Sequence, residues 1–281
     1  MLRKLLKYDF SSVWRVALTV TVAALVASLT LGASAALHEM MLGKTDNLSK
    51  IIYTTSAVVI VISALTIFIA LFTISIFVFV RFYKNLFTDE GYLTFTLPAS
   101  REAILASKTI NAMLWFIYES ILIIVCVFIG LTAYYAISGP TEPIPPPTEE
   151  IVYGDVYWGI GYFILAVVII LVAEYLSVTI IQLCITVASV TFKRARLIAG
   201  IGIYYLINTV LQLAAQLFIT VPLLIFGDDI GALFNGLLKA GININVIIYC
   251  IMAFTAAVLF IIASIAYRIT RKTITRKLNL P

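Results

Sequence analysis

Six stretches of this chain, at about 17–37, 52–80, 109–137, 157–190, 198–226 and 244–267, are each long and apolar enough to cross a bilayer. A spanning helix needs ~20 predominantly apolar residues, because hydrocarbon offers no partner to an exposed backbone N–H or C=O. The second and fourth stretches exceed that length, which implies tilt or extension beyond the lipid. Composition agrees. Of 281 residues, 62% are apolar and 12% charged, with a mean hydropathy of +1.09; a soluble domain sits near ~45–50% and ~25%. A single soluble core is excluded, as is a collagenous or disordered chain. The sequence predicts an all-α polytopic membrane protein with six transmembrane helices.

Orientation follows from the basic residues, which are retained on the cytoplasmic face. Arg3, Lys4, Lys7 and Arg15 precede the first span. Arg81, Lys84, Arg101 and Lys108 follow the second, Lys193, Arg194 and Arg196 follow the fourth, and Arg268, Arg271, Lys272, Arg276 and Lys277 follow the sixth. Only Lys44, Lys50 and Lys239 lie on the other side, beside eight acids. Both termini are therefore expected in the cytoplasm, and the net charge of +5 is a topological signal with no bearing on nucleic acid.

Residues 1–16 are themselves patterned: Leu2, Leu5, Leu6, Phe10 and Val13 share a helical face that Lys4 and Lys7 avoid. That is the signature of an interfacial helix. The apolar run after it exceeds the ~7–15 residues of a cleavable signal, which favours a retained anchor. Residues 138–156 form an acidic external loop, since five of the eight prolines fall between Gly139 and Glu150 and impose extended geometry. Cys126, Cys184 and Cys250 are far apart in apolar sequence and suggest neither disulfide nor metal site. His38 is the only histidine. No Walker A pattern occurs, and no convergent nucleophile, base or metal set supports an intramembrane enzyme.

The cytoplasmic connection 81–108 is too polar to span, yet it carries Leu86, Phe87, Tyr92, Leu93, Phe95 and Leu97. Something must cover these side chains, either lipid or a soluble partner. Pro98 breaks the segment, and Ser100 can cap a new helix that includes Arg101 and Glu102 and leads into the third span. The run Arg81-Phe82-Tyr83-Lys84-Asn85-Leu86-Phe87, then Asp89-Glu90-Gly91-Tyr92-Leu93, then Thr96-Leu97-Pro98 and Ser107-Lys108, resembles the permease subunits of bacterial ABC-2-type transporters. The opening Leu5-Leu6-Lys7-Tyr8-Asp9-Phe10 and the six-span plan resemble them too, so the likeness covers essentially the whole chain. In such permeases this connection holds a coupling helix that sits in a groove of the ATPase. The resemblance therefore implies that Asp89, Glu90, Gly91, Tyr92, Leu93 and Arg101 couple the chain to a separate nucleotide-binding subunit.

Between the fifth and sixth spans, Ile230, Leu233, Phe234, Leu237 and Leu238 recur with helical spacing behind Asp228 and Asp229, and Gly241 can end the helix. About a dozen residues cannot span, so this helix is either re-entrant, as in ABC-2 exporters, or superficial. Within the fifth span Asn208, Gln212, Gln216 and Thr220 are spaced by four and share a face. Pro222 is expected to kink or end that helix. The second span carries a lighter series, Ser56, Ser63, Thr66 and Thr73. The resemblance places both spans along a translocation pathway at a dimer interface; interhelical polar glue is the plainer reading. Glu119 and Glu174 are the two carboxyls deep in apolar sequence. Each would cost roughly 2.5–3.5 kcal/mol if ionised and unpaired at the bilayer centre, so they too are pathway candidates.

By resemblance, then, the chain is expected to be the membrane subunit of an ATP-driven exporter in the bacterial plasma membrane. It would pair with a second identical or related permease and with two cytoplasmic ATPase subunits. It would be no enzyme itself and hold no cofactor, ATP and Mg being bound by the ATPases. Peptides, including antimicrobial ones, lipid-like molecules and drugs are all compatible cargoes. The alternative is a stand-alone proton- or ion-coupled carrier that uses Glu119 and Glu174.

Overall fold

A computed structural model describes residues 2–96, 100–139, 153–192, 195–240 and 243–277. Among them seven helices occur and no strand: α1 (Leu2–Met40), α2 (Asn47–Phe87), α3 (Asp89–Thr96), α4 (Arg101–Ser138), α5 (Tyr153–Thr191), α6 (Arg196–Lys239) and α7 (Ile244–Lys277). All but α3 are long and apolar enough to cross a membrane. The proline-rich segment falls outside the described residues except at its start, where Gly139 ends α4 with a φ of +78° that a side chain would disfavour.

Two helices run further than the sequence suggested. α1 is continuous over 39 residues, roughly 58 Å at ~1.5 Å per residue. Residues 2–16 are thus its first turns, and no Gly or Pro interrupts them. α6 likewise runs through Pro222. Its helical geometry breaks at Phe226 (φ −119°, ψ 18°), ahead of Gly227 and just where the fifth span was expected to end. The stretch after Phe226 continues helical to Lys239, and the side chains of Ile230, Leu233, Phe234, Leu237 and Leu238, on which the expected apolar face rests, lie outside the described set.

The chain divides into two compact units, Met1–Phe82 with Ala106–Glu150 and Tyr83–Leu105 with Ile151–Pro281. In the first, α1, α2 and α4 pack around Ala24, Ala70, Leu122 and Cys126. Polar contacts join the helices: Thr21 with the Tyr118 hydroxyl at 2.5 Å and Thr30 with Ser63 at 2.9 Å. His38 stacks on Tyr53 and contacts Ser56 Oγ at 3.2 Å, so the single histidine ties α1 to α2. Gly32 is essential to this packing. A Cβ there would collide with the backbone of Gly130, so α1 and α4 touch main chain to main chain.

The second unit packs α5 against α6 and α7, with Ile180, Cys184 and Ala266 at its centre. Tyr249 donates to the Trp158 carbonyl at 2.8 Å, Tyr162 donates to Asn245 Oδ1 at 2.7 Å, and the two tyrosine rings stack at 4.7 Å. Gly161 makes room for the Tyr249 hydroxyl, which a Cβ would displace. Such aromatics bury a ring and keep one polar group satisfied.

Candidate functional site

The segment after α2 forms a short, separate helix because its sequence provides both a stop and a start. Thr88 leaves the helical ladder, and its carbonyl accepts from Gly91 N–H at 2.7 Å. Asp89 and Glu90 occupy the first turn of α3, where carboxylates favour the positive end of the helix. Both are exposed, whereas Phe82 and Leu86 just before them are buried. Gly91 is buried, and a Cβ on it would lie 2.8 Å from the Leu86 carbonyl oxygen. Its role is therefore to let α3 fold back against the end of α2. The side chains of Tyr92, Leu93 and Phe95, and residues 97–99, lie outside the described set. α4 then begins as the sequence predicts, with Ser100 Oγ accepting from Ala103 N–H at 3.2 Å.

The second unit holds this segment at two ends. Arg196, at the start of α6, donates to the Phe87 carbonyl at 3.4 Å and to the Phe192 carbonyl at 3.2 Å. It follows Ala195, whose φ of +52° is in the left-handed region. A cavity of about 570 Å³ opens here, lined by Tyr83, Phe87 and Asp89 on one side and by Arg196 and Ile198 on the other. At the other end, Arg101 donates to the carbonyls of Ile274 and Thr275, the latter at 3.1 Å, and Glu102 pairs with Arg271. Arg101 thus stabilises the carbonyl end of α7, as a cation does near a helix C-terminus. Sequence inspection missed Arg196, whose only signal was its place in a basic loop.

The polar series in the spans behave differently from one another. Asn208, Gln212, Gln216 and Thr220 are all exposed, and α6 is the least covered of the six apolar helices. Asn208 and Gln212 also line a cavity of about 370 Å³ with Ser177 of α5 and Tyr204. Uncovered amides at this depth are unfavourable against lipid, so they require a polar partner or water. On α2 the series splits. Ser56 and Ser63 are buried toward α1, while Thr66 and Thr73 are half-buried and donate to their own helix at Ile62 and Ile69.

Glu119 is 8% exposed, and Ser75 of α2 donates to its carboxyl, at 2.8 Å from Oε2 and 3.0 Å from Oε1. Glu174 is 9% exposed. The two belong to different compact units. Among the described residues no group of three or more His, Cys, Asp or Glu side chains could hold a metal ion. Fold and site together define a polytopic, all-helical membrane protein with an uncovered polar helix face. No family model, curated protein or solved structure matches the chain.

Proposed function

We propose that this chain is the membrane-spanning subunit of an ATP-driven exporter of the ABC-2 permease type, with both termini cytoplasmic. The observation that carries the reading is α3 and its surroundings. A short helix with exposed Asp89 and Glu90 stands in the segment that resembles the coupling region of these permeases. Arg196, at the start of α6, bonds the Phe87 carbonyl just before α3, so movement of α3 would be passed to the helix that bears the exposed amides Asn208 and Gln212. A second permease copy would cover that face, and two ATPase subunits would dock at α3 and bind ATP and Mg. The first turns of α1 would rest at the cytoplasmic interface, and the part of α6 beyond Phe226 would lie at the outer leaflet.

Co-purification tests this directly. The detergent-solubilised protein is expected to retain an ATPase subunit, and Glu90→Ala or Tyr92→Ala to abolish ATP-driven transport while the permease still folds. If no ATPase is ever retained and both variants transport normally, the reading fails. The Ser75–Glu119 contact favours one other reading, an ion-coupled carrier that works alone. That reading expects ATP-independent transport in liposomes, lost in Glu119→Gln or Glu174→Gln.

A further inference from the structure

The first unit contains a cavity of about 340 Å³ between α1, α2 and α4. Gly32 and Ala35 form one wall, Leu71 the second, and Cys126 and Leu131 the third, so the lining is almost wholly apolar. It arises beside the Gly32–Gly130 crossing, where the small residues that let two backbones touch leave little side-chain volume to fill the adjacent space. Water is a poor occupant, since a buried water needs two to four polar partners. The cavity opens at the protein surface, because Ile123 and Val127 also line it and are exposed. All three helices are apolar spans, so the medium at that opening is hydrocarbon.

The shape of the chemistry is asymmetric. Tyr134 stands at the cavity edge and its hydroxyl donates to the Glu39 carboxylate, placing one polar pair at a single end. We propose that this cavity is a lipid-binding site that holds one acyl chain of a membrane phospholipid, with the polar end of the lipid toward Tyr134 and Glu39. The chain restores the contacts that a void would forfeit among α1, α2 and α4. This inference is independent of the transport reading.

The test uses the full chain in vesicles of phosphatidylcholine carrying a diazirine midway along one acyl chain, with cross-links mapped by mass spectrometry. Cys126 is only 5% exposed and out of reach of lipid on the outer surface, while Ile124 and Phe128 on the same helix are 68% and 67% exposed. The expected result is labelling at Cys126 at a yield comparable to Ile124 and Phe128. Filling the space with Ala35→Leu, or the larger Ala35→Phe, should reduce the Cys126 yield several-fold and leave Ile124 and Phe128 unchanged. Labelling confined to Ile124 and Phe128 in the wild-type protein overturns the proposal and leaves surrounding bulk lipid only. So does Cys126 labelling that neither folded variant reduces.

Discussion

Lys108→Met is expected to destabilise the protein by about 3–5 kcal/mol, the cost of breaking a buried pair and stranding one charge. Lys108, in the first turns of α4, pairs with Asp9 of α1, and their side chains are only 10% and 8% exposed. The surroundings are large and apolar: Phe10 stacks on Trp115 at 4.7 Å, and Trp115 is completely buried. With the ammonium gone, the Asp9 carboxylate must remain ionised without its counter-charge or take up a proton. Adding Asp9→Asn to Lys108→Met should recover most of the loss, because the double variant strands no charge. Thermal unfolding in detergent reads both effects. A single-variant loss under about 1 kcal/mol would instead be that of a solvated surface pair, and the two termini of this contact would then be wet. Since the pair fixes the first turns of α1 against α4, the same variant should also expose the N-terminal residues to proteolysis.

Gly32→Ala and Gly130→Ala should differ sharply although the two glycines face each other. A Cβ on Gly32 would meet the Gly130 carbonyl group, with the carbonyl carbon at 2.8 Å, and a backbone cannot rotate aside as a side chain can. A Cβ on Gly130 meets only the Ser28 carbonyl oxygen, at 3.4 Å, an ordinary contact. Gly32→Ala is therefore expected to cost about 1–3 kcal/mol or more by forcing α1 from α4, and Gly130→Ala well under that. Comparable melting temperatures for the two variants would mean that the helices do not cross at Gly32.

Much of the architecture is legible in the sequence, and the reason is local. Six runs of ~20 apolar residues must be helices in a bilayer because each backbone group has to be satisfied within its own segment. A cap such as Ser100 acts within a turn, so the start of α4 was legible too. The continuity of α1 was not. Its polar first half looked separable on amphipathicity, yet nothing within it stops a helix, and Asp9, Val13 and Ala17 are buried in the first unit.

The candidate site was legible only in part. The spacing of Asn208, Gln212, Gln216 and Thr220 placed them on one face, but the sequence does not say whether that face is covered, and all four are exposed. Ser63 and Thr66, three residues apart on α2, read alike in sequence; the structure buries one against Thr30 and turns the other back on its own helix. Arg101 read as a residue for a partner, and its guanidinium reaches the carbonyl end of α7 across 173 residues.

What the sequence determined by itself was the number and rough extent of the spanning helices, the segregation of basic residues, and the start of α4 at Ser100. What only the tertiary structure decided was which side of each helix faces inward. Lipid is as apolar as a protein core, so hydrophobic periodicity, which marks the buried face of a soluble helix, carries little signal here. The inward faces are set instead by close fits such as Gly32 on Gly130 and Asp9 with Lys108, each made between chain positions that only packing brings together.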